Sequence, residues 1–310
     1  MPMLSDRLRS PAVLVCCLPL IGVVAPSLVL GADPAGIVAP GAKLTLLAGT
    51  FKFTEGPAAD AKGNVFFTDQ PNNKIYKWSV DGKLSVFDDN PGRANGLYFD
   101  RKGNLYTCAD LENQLWMVNV KSKKVTVLVK DYEGKRLNGP NDLWIDPKGG
   151  VYFTDPFYKR DYWTDRGGME QEGQYVYYLS PDRKSLTRVV TDMKQPNGII
   201  GTPDGKRLYI ADIGGRKTYV YDINPDATLG NKRLFAEMGS DGMTMDNEEN
   251  IYLTGRGVTV FNKRGEKIDQ IDVPKPWTAN VTFGGKNNDI LFITASDSLY
   301  SIQTRVHGAR

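Results

Sequence analysis

The sequence predicts an all-β chain, a six-bladed β-propeller built from four-stranded blades. Three observations predict it. A short strand-like pattern recurs six times at blade spacing, no stretch carries a convincing amphipathic helix period, and the strand missing from the last repeat stands near the N-terminus.

The recurring pattern is a turn with Gly, Asn or Asp, followed by β-branched and aromatic residues and often closed by Asp. It reads NVFFTD from Asn64, NLYTCAD from Asn104, GVYFTD from Gly150, RLYIAD from Arg207, NIYLTG from Asn250 and DILFITA from Asp289. The aligned apolar positions Val65, Leu105, Val151, Leu208, Ile251 and Leu291 lie 40, 46, 57, 43 and 40 residues apart, the length of a four-stranded blade. A third strand follows each one: KIYKWSV, QLWMVNV, YVYYLS, TYVYDI, GVTVFN and SLYSI. A fourth follows in five repeats: LSVFDD, VTVLVKD, LTRVVTD, KRLFAEM and KIDQIDV. The sixth repeat runs out near Ile302, and KLTLLAG from Lys43 supplies its missing strand. Pairing the N-terminal strand with the last blade closes the ring and protects the sheet edges. The propeller is thus one domain over residues 43–302, with a tail at 303–310.

The composition sets limits on function. The chain has 310 residues, 41% hydrophobic and 24% charged, as in an ordinary soluble globular protein. With 39 basic and 36 acidic side chains, and its aromatics in strand phase rather than beside a Lys/Arg stripe, it does not read as a nucleic-acid binder. Its single histidine, His307, stands near the C-terminus, which argues against a Ser-His-Asp triad, a Cys-His pair or a multi-histidine zinc site. Any metal must then be held largely by oxygen. At the N-terminus, Arg7 and Arg9 precede an apolar run from Val13 to Leu30, broken by Pro19 and Pro26, and Gly31 and Ala32 precede Asp33. This is the pattern of a secretory signal over residues 1–31, cut near 31–32, in preference to a retained membrane anchor. The expected location is periplasmic or secreted, with no membrane attachment after cleavage. Cys16 and Cys17 fall inside the signal, so the mature chain keeps only Cys108, read as a small buried hydrophobe.

About ten residues upstream of each anchor the sequence reads EGPAAD at Glu55, NGLYFD at Asn95, NDLWID at Asn141, NGIIGTPD at Asn197, DGMTMD at Asp241 and NVTFGG at Asn280. The first strand of a blade lines the central channel, so these positions are expected on one circle at one mouth of it. Asn and Asp favour turns for conformational reasons, which is the competing explanation. Glu55 is a poor turn residue, however, and a carboxylate or carboxamide inside a strand asks for a reason. Glu55 and Asp241 offer two charges, and Asn141 and Asn197 offer neutral carbonyl oxygens. That set suits one hard divalent cation, Ca²⁺ first, with Mg²⁺, Mn²⁺ or Zn²⁺ as alternatives.

Taken together, TEGPAAD, PNDLWIDPKGGVYFTDP, PNGIIGTPDGKRLYIAD, SDGMTMD and NVTFGGKNNDILFIT resemble the regucalcin/gluconolactonase (senescence-marker-protein-like) family from about Phe51 to Ile302. The resemblance implies a six-bladed propeller with one channel cation, held by Glu55, Asn197 and Asp241. It implies that Asn141 holds substrate or metal, and that Asp241 is also the proton carrier. The expected activity is metal-dependent hydrolysis of small sugar lactones, with Asp241 catalytic and Asn95, Asn141 and Asn280 as candidate substrate contacts. Alternatives are an ester or aliphatic-lactone hydrolase on the same scaffold, or a non-catalytic propeller that binds a protein or glycan. Family members carry an Arg two residues before the Asn matched by Asn141; here Gly139 stands there and Arg136 lies farther upstream. The third repeat carries an insertion from Tyr158 to Gln174, rich in aromatics and charge, which reads equally as a lid over the site or a surface excursion. Its Tyr158, Tyr162 and Trp163 are candidates to cover a sugar face.

Overall fold

The computed structural model describes residues 36–309. The expected export signal, with Cys16 and Cys17, lies outside them. Among the described residues there are six antiparallel four-stranded sheets. Blade 1 comprises Thr54–Ala59, Val65–Asp69, Lys74–Trp78 and Leu84–Asp88. Blade 2 comprises Ala94–Phe99, Asn104–Ala109, Gln114–Asn119 and Val125–Val129. Blade 3 comprises Leu143–Ile145, Val151–Asp155, Tyr175–Leu179 and Leu186–Val190. Blade 4 comprises Pro196–Gly201, Arg207–Asp212, Lys217–Ile223 and Leu229–Ala236. Blade 5 comprises Met243–Met245, Ile251–Gly255, Gly257–Phe261 and Lys267–Ile271. Blade 6 comprises Asn280–Gly284, Ile290–Ala295 and Ser298–Gln303, completed by Thr45–Ala48 from the N-terminal side.

Each inner strand touches the inner strand of the next blade, and the sixth touches the first, so the ring is closed. Closure rests on Thr45 and Leu46 paired with Ser301 and Tyr300. Thr54 Oγ1 adds bonds to the carbonyls of Ser296 and Ser298, tying blade 1 to blade 6. The fold is therefore the propeller that the repeats predict, with the last blade shared by the two ends. A two-stranded hairpin, Asp131–Tyr132 with Lys135–Arg136, joins blades 2 and 3 and has no counterpart in the sequence reading.

The core is six interblade seams rather than one centre, because successive side chains of a strand point to opposite faces of its sheet. Val65 and Phe67 pack with Phe292 and Leu299 of blade 6, while Phe66 packs with Leu97 and Leu105 of blade 2. Tyr106 and Cys108 then face Val151 and Phe153 of blade 3, and Tyr152 faces Ile199 and Leu208 of blade 4. Cys108 is a buried free thiol, as expected of a small hydrophobe. Full burial of such a Phe, Leu or Val contributes about 1.5–3 kcal/mol each, which makes these seams the main source of stability.

The chain ends also pack. Ile37 and Val306 are buried in the seam between blades 5 and 6, and Val38 bridges Thr304. Asn247 N–H bonds the carbonyl of His307, and Ala309 N–H bonds that of Met245, which lays the C-terminal segment along blade 5.

Candidate functional site

In blades 1, 3 and 4 the Asp that closes the second strand anchors the approach to the site residue. The Asp69 carboxylate accepts the backbone N–H groups of Lys52 and Phe53, Asp155 those of Asn138 and Gly139, and Asp212 those of Lys194 and Gln195. A carboxylate bonded to two successive N–H groups fixes the chain just before it enters the inner strand. The next residues, Glu55, Asn141 and Asn197, are thus delivered to the axis in one orientation.

The pairing register decides which residues are equivalent. Ala58, Tyr98, Trp144, Ile200, Thr244 and Thr282 pair with Phe66, Tyr106, Tyr152, Tyr209, Tyr252 and Phe292, at one level of the six blades. Three residues before each stand Glu55, Asn95, Asn141, Asn197, Asp241 and Ala279. Five of the six expected residues therefore share a level, and Asn280 does not: it stands one position later. The same Thr Oγ1 contact proves the slip. Asp142 N–H bonds Thr154, Gly242 N–H bonds Thr254 and Asn280 N–H bonds Thr294. The first hairpin of blade 6 is longer than those of blades 3 and 5, so counting back from Leu291 stops one residue early.

Below the oxygen circle lies a second circle: Gly56, Gly96, Asp142, Gly198, Gly242 and Asn280. Four glycines there let the blades meet at the axis. A Cβ at Gly96 would lie 2.4 Å from the Asn141 carbonyl oxygen, and one at Gly242 would lie 1.9 Å from Asn280 Cγ. Asp142 and Asn280 fill the remaining space, their Oδ1 atoms accepting the backbone N–H groups of Leu143 and Val281. They form a floor that faces a separate cavity of about 370 Å³ opening between Trp144, Met243 and Phe283. Asn280 accordingly lines that lower cavity rather than the upper one. Asp142 is a third axial carboxylate that the sequence reading passed over; burial pushes it up to about 7.

Above the floor a cavity of about 240 Å³ is lined by Glu55, Asn95, Asn141 and Asp241, with Tyr158, Arg160 and Trp277 on its walls. Asp241 accepts a 2.8 Å bond from Asn197 Nδ2 at one oxygen and a 2.6 Å bond from Trp277 Nε1 at the other. Asn197 Nδ2 also reaches the Tyr158 hydroxyl at 2.9 Å. A carboxylate only accepts, so the Asn197 nitrogen must face Asp241 and its carbonyl oxygen must face away. That oxygen, Asn197 Oδ1, is buried with no partner among the described residues, and so is Asn95 Oδ1. Buried acceptors are rarely left unpaired.

The charges tell the same story. Burial first, and the Asp241 charge second, raise Glu55 well above the usual carboxylate range. Burial raises Asp241 to about 6, although the Trp277 and Asn197 bonds pull it down. Arg160 is the cation nearest these two buried carboxylates, and its own pairing with Asp110 leaves them and the unpaired carbonyl oxygens short of positive charge. The donor set is all oxygen, two carboxylates and the amide carbonyls, and among the described residues no three His, Cys, Asp or Glu side chains gather to hold a metal, here or elsewhere. The residues present therefore fit a hard divalent cation.

The insertion Tyr158–Gln174 is docked on the rim. Trp163 Nε1 donates to the Asp110 carbonyl oxygen at 2.9 Å, and Arg166 donates to Asn113 Oδ1 at 2.6 Å. Tyr158 reaches the cavity, whereas Trp163 is buried against Phe157. Gly139 has no room for a side chain, since a Cβ there would lie 2.6 Å from Asp110 Oδ1. Arg136 is bound outside, at 2.8 Å from Asp165.

The SMP-30/Gluconolactonase/LRE-like region pattern matches residues 53–297. The chain is 27% identical over 294 residues to a protein named gluconolactonase from Zymomonas mobilis, covering 86% of this chain and 82% of that one. It superposes on the gluconolactonase structure from Xanthomonas campestris with a TM-score of 0.80 at 27% identity, covering 88% of this chain and 95% of that one. The calcium-binding protein regucalcin from Agrobacterium tumefaciens shares the fold, with a TM-score of 0.71 at 19% identity over 88% of this chain and 95% of that one.

Proposed function

The chain belongs to the SMP-30/gluconolactonase/LRE-like family, and from that membership and its axial oxygens we propose that it is a lactone hydrolase dependent on one divalent cation, Ca²⁺ first. The observation that carries the reading is the pair Glu55 and Asp241 in one cavity, with the buried, unpartnered carbonyl oxygen of Asn197 next to Asp241. Similarity to proteins named gluconolactonase supports a small lactone, and a sugar lactone first, as substrate.

Glu55, Asn197 and Asp241 would hold the cation, with Asn141 or Asn95 completing the set. When bound, the cation would supply Lewis acidity toward the lactone carbonyl oxygen and lower the pKa of a water molecule. Asp241 then takes the proton of the attacking water and returns it to the leaving ring alkoxide. Asn197 and Trp277 hold both of its oxygens, so it meets the water in one orientation. The Asn141 amide donates to ring hydroxyls, and Tyr158 flanks the ring.

The test is a panel of sugar lactones, unsubstituted aliphatic lactones and aryl esters, assayed with wild type and Asp241→Ala. Hydrolysis of a sugar lactone that Asp241→Ala abolishes without unfolding supports the reading. Wild-type-like turnover by the variant, or no hydrolysis of any lactone by the wild type, overturns it. Export to the periplasm or beyond, from the segment 1–31, remains part of the proposal, tested by locating the mature N-terminus.

A further inference from the structure

Asp110 breaks the pattern of the repeats. In blades 1, 3 and 4 the Asp closing the second strand holds the backbone entering the inner strand. In blade 2 the register puts Ala109, paired with Ala94, in that place. The run NLYTCAD is one residue longer than NVFFTD, and the extra residue carries Asp110 past the anchor position. Its carboxylate is 4% exposed and binds other groups. Gln70 Nε2 donates to Oδ2 at 3.2 Å, Arg160 Nε at 3.1 Å, and the Tyr162 hydroxyl donates to the same oxygen. The Arg93 guanidinium lies 4.3 Å over the Tyr162 ring and holds that ring from the other side.

The consequence falls on Arg160. Its Nε is committed to Asp110, and the two terminal nitrogens make no hydrogen bond or other ion pair among the described residues. The side chain is 23% exposed and lines the same cavity as Glu55, Asn141 and Asp241. An Arg held at Nε presents its remaining N–H groups as a rigid planar fork. Asp110 offsets its charge, so the fork adds directed donors beside the axial oxygens without adding a net cation. Such a fork matches two adjacent hydroxyl groups on a neutral ring.

We propose that Arg160, clamped by Asp110, is the specificity residue of this cavity and binds vicinal hydroxyls of the substrate ring. This rests on the lactonase reading and deepens it. The insertion is then a fixed wall that brings Arg160 to the substrate.

The experiment uses the full protein, Arg160→Ala and Arg160→Lys, with D-glucono-δ-lactone and the hydroxyl-free δ-valerolactone. Binding of 1,5-anhydro-D-glucitol, which has the ring hydroxyls and no ester, is followed in parallel by saturation-transfer NMR. Arg160→Ala is expected to lose at least about tenfold in kcat/KM on the hydroxylated lactone, mostly through KM, and under about threefold on the bare one. It should weaken polyol binding by a similar factor. Arg160→Lys should not restore either, because an ammonium lacks the fork. Equal losses on both lactones, unchanged polyol binding in Arg160→Ala, or no polyol binding by the wild type would overturn the assignment. Polyol binding that depends on Arg160 in a protein that opens neither lactone would leave it standing and sink the lactonase reading instead.

Discussion

Asn197 donates its amide to Asp241 at 2.8 Å, and that bond leaves the Asn197 carbonyl oxygen buried and unpaired. One contact therefore does two things. It orients the carboxylate that would move the proton, and it leaves a neutral oxygen free to serve the proposed cation. Asp241→Asn removes the charge while keeping the shape. The expected outcome is a loss of about 10²–10⁴ in kcat on a sugar lactone. The thermal midpoint of the metal-free protein should shift little, because the loss of a like charge beside Glu55 is offset by an amide nitrogen that faces one of the Asn197 and Trp277 donors; steady-state kinetics and calorimetry check both.

The pH dependence follows from the raised carboxyl groups. Asp241 stands at about 6, raised first by burial, against an ordinary value of 3.8. A raised folded pKa means that the native state holds the proton more tightly than the unfolded chain. Its stabilising effect is therefore full below about pH 4 and is lost as pH rises through about 6. Metal-free protein should lose stability across that interval. A bound cation favours the ionised form, so the rise in melting temperature caused by added Ca²⁺ should grow from pH 5 to pH 7. A rise independent of pH would contradict the placement of the cation beside Asp241.

The floor offers a packing test. Gly242→Ala puts a methyl group into the Asn280 side chain, with 1.9 Å available to Cγ. The cost should be about 1–3 kcal/mol in denaturant titration. Asn280→Gly in the same chain should recover more than half of it. Additive losses would mean that these two residues do not share the second circle.

Ring closure predicts a further loss. Deleting residues 36–48 strips Thr45–Ala48 from blade 6 and exposes the edge of Ser298–Gln303. A few ladder bonds at about 1 kcal/mol each, plus the buried Ile37, imply a loss of several kcal/mol and concentration-dependent aggregation. Light scattering on heating would detect it.

The blades were legible because their seams demand strict alternation. Val65, Phe66 and Phe67 announce two buried faces without any tertiary information. Glu55, Asn95, Asn141, Asn197 and Asp241 were legible because they break the apolar pattern at one repeat phase. Asn280 was misaligned by one place because the phase was counted across a longer hairpin. Asp142 was hidden beside Asn141, since a repeat count picks one residue per blade and the next circle is mostly glycine. Asp110 closes its repeat one residue late, which a repeat count does not register, and Arg160 follows no period at all. They meet across 50 positions through an insertion whose docking depends on side-chain shape.

The central claim is that axial oxygens hold one cation on which lactone opening depends. The direct measurement is metal analysis of the purified mature protein, with sugar-lactone hydrolysis followed through chelation and stepwise return of Ca²⁺. The expected result is hydrolysis that vanishes in the stripped protein and returns in proportion to occupancy, reaching its plateau at one cation per chain. Undiminished hydrolysis by protein shown to hold no cation would contradict it.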